Sequence, residues 1–258
     1  MDRFFKVKLL NQTINPNMLM YAALHQDYSE HFVADELNWI GCYGTASYYS
    51  QKRVTSEKQA GQLVVDSLLK GNRGHYGPLE HPQITFNVGY FPHSVMQQAR
   101  THRIGTSFDC QSFRYSGKRI CKAVESENVK EAIESVFYFR PVGFYTDRQG
   151  KKYEYTECKR NEDIELATTL AIHYRDRVSE DFSEEHARSM IPFDTRQHFV
   201  VSFNLRSAMH FLDLRAKADA QLEIQWLCET MIPYLEDWVP EVWAFYEKNR
   251  LHRAKLAP

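Results

Sequence analysis

The stretch ARTHRIGTSFDCQSFRYSG, residues 99–117, sets Arg100, Arg103, Arg114, His102 and Asp109 among hydroxyl side chains, with Ile104, Phe108 and Phe113 as large apolar residues. Guanidinium forks are always charged and pair well with phosphate or carboxylate oxygens. The stretch is therefore either a solvated polar turn or the lining of an anion site, and local pattern alone weighs the two evenly. If Ser107 to Arg114 is extended, Ser112 and Arg114 point the same way about 7 Å apart, a spacing that lets a hydroxyl and a guanidinium share one phosphate. On the helix expected just before it, Gln98, Thr101 and His102 share a face by i, i+3, i+4 spacing. Elsewhere, His75, Glu80 and His81 in GHYGPLEHP could start a zinc site. No further ligand cluster lies nearby, so no metal is expected. His210, between Met209 and Phe211, reads equally as a packed core histidine or a ligand contact. Arg188 could hold an anion or merely pair with Glu184 or Glu185 one helical turn away. Tyr115 is as consistent with packing as with ligand contact.

These groups need elements to hold them. SEKQAGQLVVDSLLKGNRG is an amphipathic helix that Ser56 can cap, with Leu63, Val64, Leu68 and Leu69 on one face and Gly71 and Gly74 beyond its end. QITFNVGYF alternates Ile84, Phe86, Val88 and Tyr90 inward, as a half-buried strand does. Pro92 opens a short helix to about Arg103. Between Pro16 and about Trp39 the pattern is helical in pieces. SVFYFRPVGFYTDRQGKKYEYTEC reads as strands around a turn at Gln149-Gly150. A long helix follows over roughly Asp163 to Val178, then a short one from Ser183. HFVVSFNLRS is a further strand, and the chain from Arg206 to Leu235 is helical with a break near Asp219. EVWAFYEKNRL is a last helix. Helices and strands alternate without a regular βαβ beat, which predicts a single α+β domain over 1–258, a mixed or antiparallel sheet flanked by helices. No Gly-x-Gly-x-x-Gly occurs, so no Rossmann turn is expected.

Composition narrows the partners. Net charge is −1 over 258 residues, against broad charge-driven binding to nucleic acid or membrane. No window nears 18 apolar residues, and MDRFFKVKLLNQTINPN lacks a signal-peptide core, so a cytoplasmic protein is expected. Cys42, Cys110, Cys121, Cys158 and Cys228 are odd in number and far apart, with no Cys-x-x-Cys pair, which fits a reducing compartment.

Four ordered blocks carry a resemblance. THRIGTSFDCQSFRYSG is similar to the signature R-H-R-x-x-S-x-N-x-x-S-x-R of flavin-dependent thymidylate synthases, through His102, Arg103, Ser107, Asp109, Ser112 and Arg114. Thr101 replaces the leading arginine, Asp109 replaces the asparagine, and one extra residue lies between Arg103 and Ser107. Arg100 is one residue from the missing guanidinium. GHYGPLEHP resembles the family's G-H-x-S/T-P-x-E-H, with Gly77 in the hydroxyl position. EEHARSMIPF resembles the helix that supplies a phosphate-binding arginine, here Arg188. FNLRSAMHFLDLR resembles N-x-R-x-x-x-N-F-x-x-L-R through Asn204, Arg206 and Arg215, with His210 for the second asparagine, and Asp219 follows where a histidine is common. The resemblance is strongest over 74–225. It leaves residues 1–70 and the insert around 145–156 unaccounted for.

What it implies is reductive methylation of dUMP to dTMP, with methylenetetrahydrofolate as carbon donor, FAD as hydride carrier and NADPH as reductant, in a homotetramer. It implies Arg215 as activator of the dUMP ring, with Ser112 beside it. Gln98, Arg100, Thr101, Gln111, Ser112, Phe113, Arg114, Arg188 and Arg215 would bind dUMP. Gly77, His102, Arg103, Ile104, Asn204, Arg206 and His210 would bind FAD, with His75 on the folate side. On one unbroken helix Arg206 and His210 stand about 40° apart while Arg215 is about 180° from Arg206, so the helix would serve two surfaces. Two other readings compete: a non-catalytic nucleotide- or flavin-binding protein on the same scaffold, and an RNA-binding module using SFRYSGKR. The near-zero net charge argues against the second of these.

Overall fold

The computed structural model describes residues 1–27, 29–30, 32, 37–38, 45–46, 54, 56–72, 74–147 and 149–253. Trp39 and Cys42 lie outside the described residues. The strands are β1 (Lys6–Gln12), β2 (Leu37–Asn38), β3 (Thr45–Ala46), β4 (Gln83–Pro92), β5 (Thr106–Cys110), β6 (Gly143–Thr146), β7 (Lys152–Tyr155) and β8 (Arg196–Asn204). The main sheet is ordered β1-β4-β8-β5, and β2 pairs with β3 and β6 with β7. Its direction follows from cross-strand contacts. Thr85 Oγ1 meets Ser202 Oγ at 2.9 Å and Gly89 lies beside His198, so β4 and β8 are antiparallel. Gln111 N donates to His198 O and Asn204 N to Gly105 O, each at 2.9 Å, which runs β5 against β8. Thr13 N donates to Gln83 O at 2.8 Å and Gly89 adjoins Lys6, which runs β1 against β4. The fold is α+β with an antiparallel sheet, as expected, and no parallel crossover joins these four strands. No described helix is long and apolar enough to cross a membrane.

Packing divides the chain into two compact units: Met1–Lys8, Asn87–Thr101 and Phe108–Val200 in one, Leu9–Phe86, His102–Ser107 and Val201–Pro258 in the other. In the first unit, Val88, Phe91 and Phe199 are buried. The alternation expected of QITFNVGYF holds to Val88 and then slips, because Tyr90 takes a φ of 68° and breaks the two-residue repeat. Phe91 therefore fills the core and Tyr90 does not. The carbonyl of Tyr90 accepts from Arg196, which is only 2% exposed. Asp2 receives two more bonds from that guanidinium, at 2.8 and 3.1 Å, and Glu134 O receives a fourth at 2.8 Å, so the buried charge is both paired and hydrogen-bonded. Helices Lys118–Val124, Val129–Val136 and Glu157–Ser179 share a core of Ile120, Ile133, Val136, Ile164 and Ala171. The long helix starts at Glu157 rather than Asp163, because Thr156 Oγ1 caps it by accepting from Lys159 N at 3.3 Å. The insert is a hairpin, β6 on β7 with Tyr145 opposite Tyr153, turning at Gly150.

In the second unit, Ile84, Phe86, Val201 and Phe203 turn inward. Phe203 meets Phe211 at 5.3 Å, and Phe86 meets Tyr234 edge-on at 5.7 Å. Ser56 Oγ accepts from Gln59 N at 3.2 Å and caps Glu57–Val64. The helix then widens into a π turn over Val65–Leu69, with Val64, Leu68 and Leu69 buried. Helices Leu205–Arg215, Leu222–Trp238 and Pro240–Asn249 complete the unit, with the expected break around Asp219.

Candidate active site

The FAD set expected from the sequence lies wholly in the second unit. Its framework is the junction of β8 with helix Leu205–Arg215. Asn204 is the N-cap, its Oδ1 accepting from Ser207 N at 2.8 Å. Ser207 Oγ in turn donates to Ile104 O at 2.7 Å, Asn204 N donates to Gly105 O, and Thr106 Oγ1 donates to His102 O at 2.5 Å. These bonds clamp the loop 102–106 to the start of the helix. They also leave no room for a side chain at residue 105. Gly105 sits at φ 63°, and a Cβ there would stand 2.3 Å from both Asn204 Nδ2 and Ser207 Oγ. Only glycine fits both the dihedral and the space.

Inside the clamped loop the His102 ring is 7% exposed and packs edge-on against Phe211 at 5.0 Å and His210 at 5.3 Å. Its Nε2 accepts from Arg215 Nε at 3.0 Å. Burial first, then the Arg215 and His210 charges, push the His102 pKa down to about 4, so the ring is neutral and free to accept. Burial likewise lowers His210, against the opposing pull of Asp213, and His210 Nδ1 is buried without a hydrogen-bond partner. Burial also pulls Arg215 below the usual guanidinium range. Helix Leu205–Arg215 is unbroken, as the 180° argument requires. On its other side Arg206 pairs with Glu80 and lies 5.7 Å over the Tyr76 ring. Glu80 and Gly77 bound one short turn, while His75 and His81 are exposed on either side of it. Arg103 and Ile104 are exposed, Ile104 by 83%. Among the described residues, no group of three His, Cys, Asp or Glu side chains is arranged for a metal.

The dUMP set, apart from Arg215, lies in the first unit. Here the structure corrects two expectations. The helix after Pro92 is His93–Ala99, with Pro92 as its N-cap, and it does not reach Arg103. Thr101 N and Oγ1 both donate to Gln98 O, at 3.2 and 2.7 Å, closing the helix so that Gln98, Thr101 and His102 form no common helical face. The Ser107 to Arg114 segment is extended only through Cys110 and turns helical over Phe113–Ser116. Ser112 O accepts from Tyr115 N and Ser116 N, each at 3.1 Å, which turns Arg114 off the strand face it was expected to share with Ser112. Arg114 instead reaches Glu185 at 3.0 Å, on the helix Glu184–Ala187 that leads into Arg188. The two arginines expected at phosphate thus come from adjoining turns. Arg188 is half-buried and makes no pair with Glu184 or Glu185. Arg100 is exposed, its Nη1 4.0 Å from Met96 Sδ. Gln111 Oε1 is buried without a partner. Burial pushes the Cys110 thiol up despite the pull of Arg100, so a thiolate is disfavoured there.

Sequence reasoning missed the His102–Arg215, Arg206–Glu80 and Arg114–Glu185 pairs. It also missed Arg119, which burial pulls down to about 10 as it lies 5.1 Å over Phe113 and donates to Arg196 O.

Comparison with known proteins bears on the same residues. The family described as thymidylate synthase complementing protein matches residues 8–241, which takes in most of the first 70 residues that the motifs left out. The flavin-dependent thymidylate synthase of Halobacterium salinarum is 32% identical over 263 residues, covering 98% of this chain and all of that protein. Its counterpart in Haloarcula marismortui is 31% identical, covering 98% and 99%. Thymidylate synthase X from Helicobacter pylori, solved with FAD and dUMP, shares the fold at TM-score 0.63 and 16% identity over 95% of this chain and 98% of that one. A UMP/dUMP methylase from Streptomyces cacaoi, solved with 5-Br UMP, does so at TM-score 0.63 and 18% identity, over 98% and 96%. Full-length identity above 30% together with the match over 8–241 shows that this chain belongs to the flavin-dependent thymidylate synthase family.

Proposed function

We propose that this chain, in the cytoplasm and as a homotetramer, methylates dUMP to dTMP with methylenetetrahydrofolate as carbon donor and NADPH as reductant. The carrying observation is Arg215. It is a partly buried cation at a helix end whose Nε donates to a neutral histidine on a clamped loop. Making carbon 5 of a pyrimidine nucleophilic builds negative charge on the ring and its carbonyl oxygens. A fixed guanidinium opposes that charge without giving up a proton, an effect commonly worth about 2.7–4 kcal/mol.

Gln98, Arg100, Thr101, Gln111, Ser112, Phe113, Arg114 and Arg188 would hold dUMP, with Ser112 beside the reacting ring. Arg114 and Arg188 supply charge for its phosphate, each charge-assisted bond contributing roughly 1.5–3 kcal/mol. The second unit fits FAD by its donor set: the orphaned, buried Nδ1 of His210, the cation of Arg206 beside the Tyr76 ring, and the exposed Arg103 and Ile104 on a clamped loop. Gly77, His102 and Asn204 complete that set, and His75 stands on the folate side. FAD, when bound, would supply the hydride chemistry. Thr101 favours the non-catalytic reading to the extent that its hydroxyl is committed to Gln98 O.

Titration of the purified chain with FAD tests the reading. It is expected to bind the flavin, and the reduced flavin to be oxidised in a dUMP-dependent way. A colourless protein that ignores added FAD would overturn it. Light scattering on the eluting protein should give a mass above that of a dimer, and an active monomer would remove the tetramer.

A further inference from the structure

We infer that Arg119 is a positioning residue for dUMP: its guanidinium stands in for a backbone N–H at the end of β5, and so lets the chain leave the sheet in the turn that carries Ser112 and Arg114. The inference rests on the dUMP-binding role proposed for that turn.

The register of β5 on β8 shows the substitution. Asn204 N donates to Gly105 O and Gln111 N to His198 O, which sets Gly105 opposite Asn204 and Gln111 opposite His198. Along a strand every second carbonyl points to the same side, so Arg196 O faces the same neighbour as His198 O. Two residues beyond Gln111, the next rung would run from Phe113 N to Arg196 O. The chain turns off before that rung. β5 ends at Cys110, and a helical turn begins at Phe113. In it Tyr115 N and Ser116 N donate to Ser112 O at 3.1 Å, and Gly117 N to Phe113 O at 3.0 Å. Arg196 O accepts from the Arg119 guanidinium instead.

The guanidinium suits the place. A backbone carbonyl in a packed sheet needs a donor, and a chain that leaves the ladder must supply one from elsewhere. Arg119 lies in the helix Lys118–Val124 that follows the turn, and its guanidinium sits 5.1 Å from the centre of the Phe113 ring while it reaches Arg196 O. It therefore meets both halves of the missing rung: the acceptor on β8, and the side chain of the residue whose amide would have filled it. Burial lowers its pKa only to about 10, so it stays a cation at neutral pH. With Arg196 O satisfied, the chain from Ser112 is free to coil. Without Arg119, the same carbonyl favours one more rung of β5, which would straighten Ser112 to Arg114 and dismantle the turn. Methionine keeps the length of the side chain without donor or charge, and lysine keeps both a donor and a cation.

The test uses the full-length chain with FAD, and the parent is compared with Arg119→Met, Arg119→Lys and Arg114→Ala. Thermal melting checks folding. Backbone amide exchange over residues 113–117 is followed by mass spectrometry without nucleotide, calorimetry gives the dUMP affinity, and steady-state assays give kcat and KM. In Arg119→Met, the Tyr115, Ser116 and Gly117 amides should exchange about tenfold faster, and the Phe113 amide more slowly. Its dUMP affinity should fall about 10- to 100-fold, with KM rising in step and kcat within a few-fold of the parent. Arg119→Lys should keep the parent's exchange pattern and stay within about tenfold of its affinity. Arg114→Ala should lose dUMP affinity without any change in exchange, which separates the contacts of the turn from its anchor. Unchanged exchange in Arg119→Met would overturn the inference, and so would equal losses in Arg119→Met and Arg119→Lys. If the parent bound no dUMP, the function proposed for the turn would fail, and the exchange pattern would still decide whether Arg119 holds it.

Discussion

Replacing Gly105 by alanine should destabilise the second unit far more than a glycine-to-alanine change at another left-handed position. Three costs add. An L-residue at φ 63° costs about 1–2 kcal/mol. The new methyl would stand 2.3 Å from Asn204 Nδ2 and Ser207 Oγ, so those side chains must move. Neither is free to do so cheaply, because Asn204 caps the helix and Ser207 holds Ile104 O. Losing the cap costs about 1 kcal/mol and the hydroxyl bond about another. The sum is about 3–4 kcal/mol. Gly150, at φ 86° in the hairpin turn with nothing within 4 Å of a built Cβ, incurs only the dihedral cost. Gly105→Ala should therefore melt lower than Gly150→Ala by about 4–8 °C, the equivalent of about 2 kcal/mol in a chain of this size. Differential scanning calorimetry on both variants and the parent makes the comparison. Equal melting temperatures for the two would refute the clamp.

Acid should weaken the fold through His102. Its folded pKa of about 4 lies below the 6.5 of an unperturbed histidine, so below pH 6.5 the unfolded chain takes up a proton that the folded one refuses. Stability is intact above 6.5 and falls on the way to 4, by up to roughly 3 kcal/mol from this ring. Urea midpoints at pH 7.5 and 4.5 should drop further in the parent than in His102→Gln, and matching drops would contradict the assignment. Arg114→Ala is expected to raise the dUMP KM roughly 10- to 100-fold, from about 1.5–3 kcal/mol of charge-assisted bonding. Its melting temperature should barely move, since the Arg114–Glu185 pair is exposed; an unchanged KM would remove Arg114 from the phosphate. Cys110→Ser should keep dUMP methylation within about tenfold, roughly 1.4 kcal/mol of barrier, because burial disfavours the thiolate. A thousandfold loss with FAD still bound would make Cys110 a nucleophile.

Local signals in the sequence were reliable where the cause is local. The Ser56 cap, the turn at Gly150, the break near Asp219 and the inward set Ile84, Phe86 and Val88 all follow from side-chain chemistry within a few residues. Tyr90 was misread because its positive φ breaks the two-residue repeat, and its carbonyl accepts from the buried Arg196, a partner that the β4 sequence does not contain. Polar composition over residues 107–114 gave no hint that the chain would turn helical at Phe113, since Ser112 can end a strand or precede a helical turn equally well. The partners of the motif arginines were hidden for a different reason. Arg114 and Glu185, Glu80 and Arg206, and His102 and Arg215 are far apart in the chain, and only the folded units bring them together. The motifs pointed to which residues matter, while periodicity could not say which of them meet.

The most direct test of the central claim is the mass of the nucleotide produced. The chain is incubated with dUMP, methylenetetrahydrofolate, NADPH and FAD, and the nucleotide pool is analysed by mass spectrometry. The account predicts dTMP, formed only when FAD is present and largely lost in Arg215→Ala. A chain that binds FAD and dUMP yet returns dUMP unchanged would contradict it and leave a nucleotide-binding protein on this scaffold.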